Sequence, residues 1–91
     1  MILTMEGVTV SIVGMEEILA EREKQDQKWG EQNHDTQMWV AILMKEVGEV
    51  RKAICEEDTD SYRKELVHVA AVALAALQSH ERQETNDEMG T

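Results

Sequence analysis

Glu65-Leu66-Val67-His68-Val69-Ala70-Ala71-Val72-Ala73-Leu74-Ala75-Ala76-Leu77 is the stretch that decides the fold. Plotted at roughly 100° per residue, Leu66 to Leu77 is apolar nearly all round, and its alanines favour helix. A helix without a polar face is expected to be buried on several sides. The rest of the chain offers too few helices to enclose it, so the pattern predicts a dimer or higher oligomer with this helix at the centre. Cyclic symmetry is the default for such an assembly. Two polar residues interrupt the run. Glu65 projects between Val72 and Val69, and His68 between Ala75 and Val72, so both point toward packed surface.

The preceding helix repeats the anomaly. From Trp39 to Ile54 the apolar stripe is drawn by Trp39, Leu43, Val47, Val50, Ala53 and Ile54. Glu46 falls inside this stripe and Glu49 at its border beside Ile42, while Lys45, Lys52 and Glu56 gather on a separate polar face. An ionised carboxylate buried without a partner either takes up a proton or finds compensating charge. Spacing of i, i+3 puts two such groups on one helical face. Glu46, Glu49 and Glu65 together exceed the basic groups on those faces, and a divalent ion resolves the conflict. Hard ions such as Mg²⁺ or Mn²⁺ suit oxygen ligands best. A plainer reading stays open: a lone E-x-x-E is common on helices. Glu46 and Glu49 would then be rim residues with packed stems and hydrated heads, or would pair with Arg51, Arg63 or Lys64 of a partner chain.

Working outward, Asp35 or Thr36 can cap the Trp39-containing helix, which is expected to run to about Glu57. Gly48 is its weak point and a place where another helix can approach closely. Glu56 to Ser61 reads as a turn rich in capping residues, and the next helix is expected from about Asp60 to His80. Toward the N-terminus, Met15, Ile18, Leu19 and Arg22 describe a short amphipathic helix ending near Gln27. Lys28 to His34 breaks that periodicity at Gly30 and reads as a loop. Alternation at Val8, Val10 and Ile12, between Gly7 and Gly14, suggests a short strand or extended arm. The expected organisation is an arm over residues 1–14, a helical domain over 15–81 and a polar, frayed or disordered tail over 82–91. The fold class is all-α: about three helices per chain, completed by oligomerisation.

Composition narrows the possibilities for function. Ninety-one residues support one small domain, and the absence of proline with only three aromatic residues suits helices packed through small aliphatic side chains. A net charge of −10 argues against nucleic acid as a partner, since phosphate contacts need clustered Lys and Arg. An anionic small molecule would need a metal ion between itself and the protein. Cys55 stands alone, which excludes an intramolecular disulfide and fits a reducing cytoplasm; at the end of an apolar stripe it reads as a packing residue. The N-terminus lacks the pattern of a signal peptide, and no apolar run reaches about 18 residues. The expectation is a soluble, intracellular protein without a membrane partner.

Three runs carry a resemblance: Glu21-Arg22-Glu23-Lys24-Gln25-Asp26-Gln27-Lys28-Trp29-Gly30-Glu31-Gln32-Asn33-His34, Ile42-Leu43-Met44-Lys45-Glu46-Val47-Gly48-Glu49-Val50, and Glu65 to Ala73. Over about residues 16–83 the chain resembles phage-type or bacterial MazG-like proteins, which belong to the all-α nucleoside triphosphate pyrophosphohydrolases. That family carries E-x-x-E on one helix and E-x-x-D on the next, four acids that bind Mg²⁺. Glu46, Glu49 and Glu65 match the first three, and His68 occupies the place of the aspartate. Imidazole is a poor Mg²⁺ ligand but can bind Mn²⁺ or a transition metal, so this departure bears on the number and kind of ions. Lys45 stands where many relatives carry another glutamate.

The resemblance implies hydrolysis of a nucleoside triphosphate between the α and β phosphates. The products are the monophosphate and pyrophosphate, and Glu46 or Glu49 bridges metals or accepts the water's proton. It further implies a homodimer or homotetramer in the cytoplasm, or in a host's cytoplasm if the chain is phage-encoded. The loop suits a substrate: Trp29 offers a flat face for a base, Gln25, Gln32 and Asn33 offer paired donors and acceptors, and Lys28 can meet phosphate. Against these stand plainer roles. Trp29 can plug a helix end, Trp39 suits core packing, His34 suits a loop or cap, and His80 suits the surface.

Two other functions remain in view. Glu65-x-x-His68 has the Glu-x-x-His spacing of di-iron carboxylate bundles, with Glu46 or Glu49 as a further carboxylate. The His68 departure equally fits a nucleotide-binding or oligomerisation module without catalysis. Base and sugar preference are not fixed by the sequence.

Overall fold

The computed structural model describes the backbone of residues 2–5 and 8–90, and side chains for residues 12–87. Three helices form its body: α1 (Ile12–Trp29), α2 (Thr36–Cys55) and α3 (Thr59–Gly90). The fold is all-α, as expected. Ahead of the helices, β1 (Ile2–Met5) and β2 (Val8–Ser11) pair antiparallel, with Leu3 opposite Val10 and Thr4 opposite Thr9. The expected boundary at Gly7 and the tail's last residue, Thr91, lie outside the described residues.

Helix boundaries follow from local hydrogen bonding. Asp35 caps α2, its carboxylate accepting from the Met38 backbone N–H at 2.8 Å. At the other end the amides of Glu57 and Asp58 return to the carbonyls of Ile54 and Ala53, with Glu57 in the left-handed region at φ 54. This is a Schellman closure with glutamate where glycine usually sits. Asp58 then starts α3, accepting from the Ser61 backbone N–H and from its hydroxyl. α1 ends at Gly30, whose φ of +73 favours glycine.

α3 packs on both other helices and is long enough, at about 48 Å for its 32 residues, to span the molecule's 50 Å axis. Contacts along the helices fix their directions. Glu17 meets Arg63 and Glu21 meets His68, so α1 runs parallel to α3. Trp39 packs on Val72 and Ala75 while Glu46 lies near His68, so α2 runs antiparallel to it. The buried residues are few: Trp39, Ala53, Ala71, Val72, Ala75 and Ser79, with Ile42, Leu43 and Ala76 partly buried beside them.

Several expectations are corrected. Gly14 lies inside α1, which begins at Ile12, and Lys28 and Trp29 form its last turn instead of a loop. The inward side of α1 is drawn by Ile18, Glu21, Arg22 and Gln25, all partly buried, whereas Met15 and Leu19 are exposed. α3 does not stop near His80 but continues through Gly90, supported by the i, i+4 ion pair of His80 with Glu84 and by the bond from the Thr85 hydroxyl to the Glu81 carbonyl. Gly48 faces open space, so no helix of the same chain uses the close approach it permits. Within one chain α3 is covered along one side only: Leu66, Ala73 and Leu77 are exposed.

Candidate metal centre

The apolar stripe of α2 turns inward at Trp39, Ile42, Leu43, Glu46, Val50 and Ala53, which carries one acid into the seam with α3. α3 presents Glu65 and His68, one turn apart on its inward side. The three side chains converge. His68 Nδ1 lies 3.2 Å from Glu65 Oε2 and 3.9 Å from Glu46 Oε2, and each side chain is less than a quarter exposed. One ligand atom from each of Glu46, Glu65 and His68 fits within a span of 4.8 Å. Opposite ligands of an octahedral Mg²⁺ lie about 4.2 Å apart, given bonds of 2.0–2.1 Å, so small side-chain shifts would close the trio on one ion. Two carboxylates with an imidazole also form a donor set better matched to Mn²⁺ or Zn²⁺ than to Mg²⁺.

A fourth group enters from α1. Glu21 Oε1 lies 3.5 Å from His68 Nε2, so the imidazole stands among carboxylates from all three helices. The sequence does not single out Glu21, because its apolar pattern points to Met15 and Leu19 as the inner side of α1, and both are exposed. The signal available was its place in the Glu21 to His34 run, which made no distinction among its acids. Glu49, in contrast, is exposed and stands outside the trio.

Among the described residues no lysine or arginine forms an ion pair with Glu46, Glu65 or Glu21. Arg63 pairs with Glu17 and holds its carboxyl below the ordinary carboxylate value through their hydrogen bond. Lys45, Arg51 and Lys64 are exposed, with no ion pair to Glu46 or Glu65 among the described residues. Among the described residues His68 is the one group paired with the trio's carboxylates, and it carries charge only when protonated.

None of the expected substrate-binding residues belongs to the Glu46, Glu65 and His68 trio. Trp29 is exposed at the end of α1 with the Lys28 ammonium 4.6 Å over its ring, so within this chain it plugs no helix end. Gln25 accepts from Arg22 at 3.2 Å. Arg82 of α3 donates to Asn33 Oδ1 at 2.9 Å and to the Gln32 carbonyl at 3.1 Å, clamping the loop onto α3. The partly buried His34 ring meets the Trp39 ring edge-on, 4.9 Å between centroids. Trp39 is a core residue and His80 is exposed.

Chemically, the arrangement can hold one divalent ion or one imidazolium. Among the described residues of one chain it supplies part of what a di-iron bundle uses, which is four carboxylates and two histidines converging from four helices. Among the described residues no helix is long and apolar enough to cross a membrane. No protein-family model, curated protein or solved structure matches the chain.

Proposed function

We propose that the protein is a divalent-metal-dependent nucleoside triphosphate pyrophosphohydrolase that converts (d)NTPs to the monophosphate and pyrophosphate. The observation that carries this reading is the convergence of Glu46, Glu65 and His68, from two helices, at positions where the MazG-like resemblance puts metal ligands. Mg²⁺ is the ion the resemblance implies; Mn²⁺ is the one the imidazole favours.

Bound there, a divalent ion would neutralise triphosphate charge and lower the pKa of an attacking water. The chain's own residues do the rest. Glu46 and Glu65 would hold the ion from two helices, with His68, 3.2 Å from the Glu65 carboxylate, as the third ligand. Glu49, one turn beyond Glu46 and open to solvent, is the acid placed to accept the water's proton or to bind a second ion. Lys28 and Trp29 stand at the far end of α1, where they can meet substrate on the outer surface.

One observation favours a second reading. His68 lies 3.2–3.9 Å from three carboxylates, so its ring can bridge the acids without an ion, as a nucleotide-binding module without catalysis would need. The two readings separate in a pyrophosphate-release assay on each common (d)NTP with Mg²⁺ and with Mn²⁺. Hydrolysis is expected with Mn²⁺ above Mg²⁺, and His68→Asp is expected to raise the Mg²⁺-dependent rate. Nucleotide binding without pyrophosphate release under any of these conditions would replace the hydrolase with the binding module.

A further inference from the structure

The seam of α1, α2 and α3 continues past the acids into a cleft of about 230 Å³ beside the α1–α2 loop. That volume is smaller than the ~300 Å³ at which pockets for whole small molecules begin, and it suits a single heterocycle. The cleft is framed by Arg22, Gln32, Trp39, Gln78 and Arg82. Trp39, which lines the cleft, keeps a buried Nε1–H for which no described residue supplies an acceptor. We propose that this cleft seats the base of the nucleotide and that Gln78 selects an oxo group over an amino group on the base edge. The proposal rests on the nucleotide reading above and names the substrate class within it.

The orientation of one amide decides which base edge the cleft accepts. Arg22 donates from Nε and Nη2 to the same oxygen, Gln78 Oε1, at 3.0 and 2.8 Å. A guanidinium has donors only, so the amide cannot turn its NH₂ toward Arg22. Arg22 is itself fixed: its side chain is 12% exposed and its Nη2 pairs with Asp26 at 3.0 Å. Gln78 Nε2, with two donors, is thereby left for a ligand. The cleft's acids are already engaged, Asp26 by Arg22 and Glu31 by Arg82 at 3.2 Å. The Gln32 side-chain amide has no partner among the described residues to orient it, so it can turn to suit either kind of edge. Discrimination falls on Gln78.

The keto bases present an acceptor at this kind of position, O6 of guanine or O4 of uracil and thymine; adenine and cytosine present the N6 or N4 amino donor. A fixed NH₂ group welcomes the first set and meets the second donor to donor. The placement along the groove agrees. Gln78 lies ten residues beyond His68, about 15 Å along α3, and Arg22 directly follows Glu21, so phosphates near the acids and a base in the cleft lie on one path.

The test is equilibrium binding of dUMP and dCMP, and of dGMP and dAMP, to the full chain, in chelator and in Mn²⁺. The readout is the heat of binding by titration calorimetry. The oxo member of each pair is expected to bind roughly tenfold tighter. Gln78→Glu, which still pairs with Arg22 but only accepts, should reverse the order, and Gln78→Met should abolish it; circular dichroism reports whether either variant has lost helix. Equal affinities in the parent protein, no binding of any nucleotide, or a preference that survives Gln78→Met in a folded protein would overturn the assignment. The hydrolase reading fails separately: an oxo preference without pyrophosphate release leaves the cleft standing, and hydrolysis without base preference leaves the acids standing.

Discussion

His68 offers Nδ1 to Glu65 and Glu46 and Nε2 to Glu21, while a neutral imidazole has one N–H for these two directions. Without an ion, the N–H serves one side and a carboxylate on the other has no donor from the ring; with an ion in the centre, that carboxylate would face a cation. Glu46 is central to both states and Glu49 to neither, since Glu49 is exposed and outside the trio. This separates what geometry predicts from what the resemblance implies. Glu46→Gln should weaken Mn²⁺ binding by about 100-fold or more, beyond the effect of losing an outer partner of a ligand, as read by calorimetry. Glu49→Gln should stop pyrophosphate release, as the resemblance implies, while leaving Mn²⁺ affinity within a few-fold. If Glu49→Gln abolishes Mn²⁺ binding, the ion sits elsewhere than at the trio. The inward turn of Glu46 was legible in the sequence because Trp39, Leu43, Val50 and Ala53 turn inward with it, although Val47 and Ile54 of the same expected stripe are exposed. Glu21 was not, because the inner side of α1 is largely polar and a hydrophobic projection cannot find it.

At the scale of the element, the α2–α3 turn holds both a strained residue and a titratable cap. Glu57 adopts φ 54, a conformation that costs a residue with a Cβ about 1 kcal/mol or more. Glu57→Gly is therefore expected to stabilise the protein by about 1 kcal/mol, or roughly 4–8 °C in Tm for a domain of this size. Glu57→Ala keeps the strain and should give no comparable gain, which a thermal melt of the two variants will show. One residue later, hydrogen bonds from the Ser61 backbone and hydroxyl hold the Asp58 carboxyl below its ordinary value of 3.8. A carboxylate whose folded pKa is depressed contributes stability above its unfolded pKa and loses it as pH falls through the folded value. Asp58→Asn, which can still cap, should accordingly lose less stability than the parent protein as pH drops from about 5 to about 2. Capping residues made the α2 start and the turn readable in advance. The end of α3 was not readable, because the i, i+4 partners beyond His80 look like any polar tail when composition alone is weighed.

At the scale of the whole molecule, two apolar stripes remain uncovered. On α2, Val40, Met44, Val47 and Ile54 recur at helical spacing and are all exposed; on α3, Tyr62, Leu66, Ala73 and Leu77 do the same. The stripes adjoin. Val40 and Leu77 line one cleft at the loop end, and Ile54 and Tyr62 line another at the turn end, so the antiparallel pair presents one long apolar face. A face of this length is unusual on a lone monomer, while the enclosed core is small: Trp39 is the one large side chain in the buried set. The all-round apolar character of Leu66 to Leu77 makes sense if a second copy packs here, two helices from each, as a C2 dimer closing a four-helix layer. Charge placed in that layer should prevent it, because an unpaired buried charge costs far more than the contacts around it return. Light scattering after size exclusion is expected to give a dimer or tetramer for the parent chain. It should give a monomer of reduced Tm for the Met44→Lys, Leu66→Lys double variant. A monomeric parent chain at micromolar concentration would sink the assembly, and the exposed stripes would then need a different partner.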